Sequence, residues 1–180
     1  TDRYGGSPEG RMRIMTEIID GVRRRCGRQF VGGVRLCGDE FTDGGLTLED
    51  TCDIARRFAA TGQVDYLCVT QGNFNGASFT AHCPDMAFPP APFVHLAAGV
   101  KEAVDLPVMT TSRILDPFQA ERLLQDGVAD LIGMCRALIA DAEWARKARE
   151  GRAGAIRPCI SCNQGCHAMI QQNRPLTCLL

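Results

Sequence analysis

Asp130-Leu131-Ile132-Gly133-Met134-Cys135-Arg136-Ala137 is the stretch on which the reading of the fold turns. The run Ala129–Met134 is short and apolar, as expected of a strand buried on both faces of a parallel sheet. A glycine and an arginine then lead into a helix that starts near Ala137. Working backwards, the same unit recurs. Pro107–Thr111 is a strand, followed by Asp116-Pro117 as the cap and first turn of a helix running to Gly127. Val64–Thr70 is a strand, followed by an irregular Gly/Asn/Pro-rich loop, Gln71–Pro90, and a helix, Phe93–Val104. Phe30–Leu36 is a strand, followed by a capping box at Thr47 and Asp50 and a helix through Ile54 and Phe58 to Gly62. Ahead of it, Ser7-Pro8 opens a helix with Ile14, Ile18 and Val22 at helical spacing and Gly27 as its stop. Asp141 caps a charged final helix through Arg149. The order αβαβαβαβα fits right-handed crossovers, either in a doubly wound sheet or in part of a (β/α)8 barrel. No strand is followed by Gly-x-Gly-x-x-Gly, so the dinucleotide fingerprint is absent from this sequence.

In both architectures chemistry gathers at the carboxyl ends of the strands. There the sequence places Arg35 in the first strand, Arg113 after the third and Arg136 after the fourth. Arginine is rarely buried unpaired. The bland account is a structural ion pair with Asp39, Glu40, Asp116 or Asp130. The functional account is an anionic ligand on the strand ends. Gly133 and the following helix start suit a barrel phosphate site after strands seven and eight. The four strands would then be the second half of a barrel, and a chain that opens on Thr1 is expected to be a piece of a longer protein.

The 180 residues carry ten cysteines and a net charge of -1. That charge gives no reason to expect nucleic acid or an anionic membrane as partner. No apolar run reaches the ~18 residues of a membrane span, and no signal peptide opens the sequence. Cys26, Cys37, Cys52, Cys68, Cys83 and Cys135 are scattered singly and read as small buried hydrophobes or inert thiols. Cys159, Cys162, Cys166 and Cys178 crowd into the last 22 residues. Three close thiols and one remote one suit the corners of an iron–sulfur cubane, although zinc and a metal-free segment stay open on spacing alone. Ile160 and Ile170 are candidates for an apolar shell, and His167 reads as packing.

Taken together, Asp2-Arg3-Tyr4-Gly5-Gly6-Ser7, Gly33-Val34-Arg35-Leu36, Thr110-Thr111-Ser112-Arg113-Ile114, the Asp130–Ala137 stretch and Arg157–Cys166 resemble the old yellow enzyme family. The cysteine spacing is similar to its iron–sulfur branch, which includes 2,4-dienoyl-CoA reductase and trimethylamine dehydrogenase. The resemblance implies an α/β fold: the C-terminal half of an FMN-binding (β/α)8 TIM barrel over residues 1–150, then a 4Fe-4S segment over 151–180. Arg35 would lie by the flavin N1/O2 edge and stabilise reduced flavin. Arg113, Arg136 and the backbone of Cys135 would hold the FMN phosphate. Cys159, Cys162, Cys166 and Cys178 would hold the cluster.

A histidine after strand six assists proton transfer in the dienoyl-CoA reductases. Alignment puts Phe79 there, with His82 three residues later as the catalytic candidate; Glu40 and Asp85 are weaker ones. The implied activity is hydride transfer between substrate and FMN, with electrons passing through the cluster. The substrate would be an enoyl thioester or a methylated amine. Further implied are NAD(P)H or an electron-transfer flavoprotein as electron partner, FAD and NAD(P)H sites in a following region, a cytoplasmic setting and a homo-oligomer. The rival account is a non-enzymatic or hydrolytic α/β protein with a structural four-cysteine zinc site.

Overall fold

The computed structural model describes residues 2–76 and 78–180; residue 77, in the long loop after the second strand, lies outside them. The elements run α1 (Pro8–Cys26), β1 (Gly33–Cys37), α2 (Leu48–Ala60), β2 (Tyr66–Thr70), α3 (Ser78–His82), α4 (Val94–Ala103), β3 (Val108–Thr110), α5 (Pro117–Gln125), β4 (Leu131–Ile132), α6 (Arg136–Ala140), α7 (Trp144–Arg149) and α8 (His167–Gln171). The strands form one parallel sheet in sequence order, β1-β2-β3-β4. The expected caps form. The Gly10 amide donates to Ser7 Oγ, Thr47 and Asp50 cap one another, and Asp116 accepts from the amides of Phe118 and Gln119.

Register decides the architecture. Val34, Leu67 and Val108 align across three strands and are all buried in one core. Phe58 and Ala55 of α2 and Leu96, Ala97 and Val100 of α4 pack on them, and Met12, Met15 and Ile19 of α1 join from the edge. Ile132 faces the same way and packs with Ala120 of α5, Ala137 of α6 and Trp144 of α7. The next register line, Arg35, Cys68, Met109 and Leu131, points to the opposite face. Helices thus cover a single face, as in a barrel wall; a doubly wound sheet carries them on both. The fold is α/β, four strand–helix units of the (β/α)8 barrel type.

Several boundaries differ from the sequence reading for local reasons. The first strand starts at Gly33, not Phe30. Arg23 on α1 donates to the Phe30 carbonyl, to the Gln63 carbonyl (2.7 Å) and to Asp65 (2.6 Å), while the Gly32 amide donates to Asp65 Oδ2 (2.7 Å). Those groups are spent on side chains before a ladder begins. The face of α1 that meets the core is Met12, Met15 and Ile19, leaving Ile14 and Ile18 about half exposed. The helix that starts near Ala137 and the charged helix ending at Arg149 form as α6 and α7, but α7 starts at Trp144 with Glu143 as its N-cap, and Asp141 lies between the two. Its carboxylate accepts from the Glu143 amide (3.0 Å), Lys147 Nζ (2.5 Å) and the Arg157 amide (2.9 Å). Among the isolated cysteines Cys52 and Cys68 are buried as expected, Cys37 and Cys83 are partly buried, and Cys26 and Cys135 are exposed. No helix among the described residues is long and apolar enough to cross a membrane.

Candidate functional site

A cavity of about 300 Å³ opens at the carboxyl ends of the strands. Its walls include Arg35 from β1, Met109 from β3, Thr111–Leu115 beyond β3, and Gly133–Ala137 running from β4 into α6. His82 and Pro84 enter from the loop after β2. The five residues assigned from sequence to flavin and catalysis, Arg35, His82, Arg113, Cys135 and Arg136, therefore share one cavity.

None of its lining residues is a carboxylate, and none of the three arginines forms an ion pair among the described residues. The structural ion-pair account is thereby overturned. Asp39 accepts from the Phe41 amide, Glu40 from the Leu46 amide, Asp116 caps α5, and Asp130 binds Lys101 (2.6 Å) and the Val108 amide (2.9 Å). Each carboxylate is satisfied locally. Glu40 and Asp85, the latter bonded to the Ala87 amide, stay out of the cavity wall.

Arg113 and Arg136 are held by neutral acceptors instead. Arg113 donates through Nε to Ser161 Oγ (3.1 Å) and through Nη1 to the Phe88 carbonyl (2.7 Å). Arg136 donates through Nη1 to the Pro84 carbonyl (2.8 Å) and Asn163 Oδ1 (2.7 Å). Neither charge is neutralised by these bonds. Cationic charge concentrated in a concave, acid-free site is the arrangement that binds a phosphate.

The backbone agrees. Ser112 and Arg113 both have left-handed φ angles, +98° and +52°, a strain that non-glycine residues sustain mainly where the surroundings dictate it. Ser112 Oγ is buried without a hydrogen-bond partner, in the cavity wall. Gly133 brings the chain close to β3. A Cβ there would lie 2.8 Å from Thr111 Cγ2 and 3.0 Å from Met109 Sδ. An orphaned hydroxyl and a close backbone approach beside unpaired arginines fit an anionic cofactor such as a flavin phosphate.

The loop after β2 contains α3, a five-residue helix hidden from sequence periodicity by its brevity. Gly72 makes it compact. At φ +65°, a Cβ on Gly72 would fall 2.6 Å from both the His82 nitrogen and the Ser78 carbonyl oxygen. This fold places His82, not Phe79, in the cavity wall. The His82 ring packs on Phe74 in a tilted arrangement (centroids 4.4 Å apart, planes at 48°) and its Nδ1 is buried and unpartnered. Phe79 packs behind it on Phe74 and His167. His167 packs as expected. Burial, then the nearby His82 and Arg136, hold its imidazole below the usual histidine range.

Cys159, Cys162, Cys166 and Cys178 line a second, mostly apolar cavity with Ile139, Ile160, Leu179 and Leu180. Ile160 lines that wall but is 46% exposed, and Ile170 is absent from it and 53% exposed, so neither forms the closed apolar shell expected of it. Ser161 and Asn163 take left-handed φ angles of +57° and +59°, folding the loop around Cys162. The Ser161 amide donates to Cys159 Sγ (3.4 Å), the kind of bond that stabilises a ligating thiolate. Among the described residues no three His, Cys, Asp or Glu side chains converge to hold a single metal ion. Four thiols line one apolar cavity, a donor set whose chemistry suits an iron–sulfur cluster. Arg136 belongs to the walls of both cavities.

Comparison with known proteins gives consistent results. Residues 1–154 match the family model described as NADH:flavin oxidoreductase / NADH oxidase family. The chain is 44% identical over 163 residues to N,N-dimethylglycine/sarcosine dehydrogenase of Chromohalobacter salexigens, covering 90% of this chain and 24% of that protein. It is 40% identical over 178 residues to NADH oxidase of Thermoanaerobacter brockii, covering 98% and 27%. Among solved structures, a 2-naphthoyl-CoA reductase in complex with 2-naphthoyl-CoA superimposes with a TM-score of 0.90 at 31% identity, covering 99% of this chain and 27% of that one. The chain thus spans about a quarter of the length of these relatives.

Proposed function

Because this chain belongs to the NADH:flavin oxidoreductase / NADH oxidase family, we propose that it supplies the phosphate-binding half of an FMN barrel and the cluster segment of an FMN- and 4Fe-4S-dependent oxidoreductase. The observation that carries this reading is Arg136, shared by an acid-free arginine cavity and a four-cysteine cavity. Residues 1–150 form the barrel part and 151–180 the cluster segment, a division supported by the end of the family match at residue 154. When bound, FMN would exchange a hydride with substrate and the cluster would pass single electrons.

The chain's own residues have separable tasks. Arg113 and Arg136, with the Cys135 backbone, hold the phosphate through charge-assisted hydrogen bonds. Arg35, on the sheet face opposite the helices, would supply positive potential that stabilises a reduced flavin bound in the cavity. Met109, Ile114, Leu115 and Met134 supply apolar wall that limits water. His82, in the cavity wall, is the side chain placed to exchange a proton with substrate. Cys159, Cys162, Cys166 and Cys178 hold the cluster.

The substrate is an enoyl thioester or a methylated amine. A histidine in the cavity wall suits addition of hydrogen across a conjugated double bond, and the similarity to a 2-naphthoyl-CoA reductase supports a thioester. The similarity to N,N-dimethylglycine/sarcosine dehydrogenase supports the amine. NAD(P)H or an electron-transfer flavoprotein is the electron partner, and the complete protein works in the cytoplasm as a homo-oligomer.

Preparing the complete protein without oxygen tests the assignment. It should be yellow-brown and contain FMN, iron and sulfide. Cys162→Ala should remove iron and sulfide together. Zinc without sulfide, or stoichiometric iron and sulfide in the variant, would refute it. Anaerobic flavin spectra then separate the substrates, since a methylated amine would bleach the flavin and an enoyl thioester would reoxidise it.

A further inference from the structure

The arginines assigned to the phosphate do not stand on their own strand ends alone. Each is held from behind by the cysteine loop. Ser161, 1% exposed, accepts from Arg113 Nε. Asn163 accepts from Arg136 Nη1 through Oδ1 and donates through Nδ2 to the Cys83 carbonyl (2.9 Å). These two residues flank Cys162 on either side, and both are fixed in left-handed conformations. The loop that presents the thiols on one side thus presents two acceptors on the other.

We propose that Ser161 and Asn163 are positioning residues for phosphate recognition, orienting Arg113 and Arg136 so that their remaining N–H groups face the cavity. This rests on the FMN reading above. A free arginine side chain samples many rotamers and loses that freedom on binding an anion. Arg113 uses Nε and Nη1 for its anchors, and Arg136 uses Nη1. Nη2 of both, and Nε of Arg136, have no partner among the described residues. Pinning Nε and Nη1 of Arg113 and Nη1 of Arg136 fixes the plane of each guanidinium and leaves Nη2 of both in place in advance, so less order has to be created when the ligand arrives. Both anchors are neutral, so they orient the charge without cancelling it. A carboxylate in either place would compete with the phosphate.

The test compares FMN with riboflavin, which lacks the phosphate, by titrating the flavin-stripped complete protein and following flavin fluorescence. Ser161→Gly and Asn163→Gly delete the acceptors while tolerating the left-handed backbone. Each should weaken FMN about ten- to a hundredfold, the usual range for one hydrogen bond to a charged group, and leave riboflavin unchanged. If either glycine variant fails to fold, Asn163→Asp replaces it; its carboxylate should pair with Arg136 and again weaken FMN alone. Arg136→Ala is the control for the underlying reading. If it selectively weakens FMN but the Ser161 and Asn163 variants do not, the positioning role is wrong and the phosphate site stands. If the Ser161 and Asn163 variants weaken both flavins equally, their role is structural and the inference fails. Unchanged discrimination in Arg136→Ala would remove the phosphate site, and the inference with it.

Discussion

Replacing Gly72 with alanine should disable the loop that carries His82, and the size of the effect follows from geometry. Two costs arise. The first is conformational: φ is +65°, where an L-residue pays about 1–2 kcal/mol. The second is steric: the new Cβ would meet the His82 nitrogen and the Ser78 carbonyl oxygen, both at 2.6 Å and both backbone atoms of α3. Neither can rotate away, so relief requires moving the helix, at about 1–3 kcal/mol for overpacking. Gly127 supplies the control. It has φ +71° with nothing within 4 Å of its would-be Cβ. Gly127→Ala should therefore show the conformational cost alone. With urea slopes of about 1–3 kcal/mol per molar, Gly72→Ala should unfold at a midpoint roughly 1 M below Gly127→Ala. Turnover should fall in the first variant only, because α3 delivers His82 to the cavity. Equal midpoints for the two variants would refute the reasoning.

Other outcomes follow from the same contacts. Gly133→Ala needs no left-handed backbone but crowds Thr111 and Met109, and should weaken FMN binding about tenfold for roughly 1.4 kcal/mol of strain, read by flavin fluorescence. Asp141 is held at a pKa of about 2, chiefly by Lys147 and then by the Arg157 amide. Its folded pKa lies below the unfolded value of about 3.9, so its stabilisation is full above that value and is lost as pH falls through about 2. The stability gap between the native protein and Asp141→Asn should accordingly shrink as pH is lowered from 5 to 2 in denaturant titrations.

Much of this molecule is written locally. Capping signals at Ser7, Thr47 and Asp116 fixed three helix starts, because a cap is a bond between residues two or three positions apart. Arg35, Arg113 and Arg136 were identifiable because charge at an apolar strand end demands a partner. What stayed hidden depends on distant residues. The start of β1 is set by Arg23 and Asp65, 42 positions apart, and the entry of His82 into the cavity by the close packing around Gly72.

The sequence by itself determined the alternation of strands and helices, the grouping of four cysteines and the family resemblance, all carried by spacing and residue type. Only the tertiary structure decided that the helices cover one face of the sheet, since strand pattern does not say on which side a crossover packs. It alone showed that the arginines lack carboxylate partners, because each nearby acid is satisfied by a backbone amide or a lysine. It also brought Ser161 and Asn163 behind the phosphate arginines, 48 and 27 positions away in the chain. Hydrogen bonds over such separations exist only once the barrel wall and the cysteine loop have folded against each other.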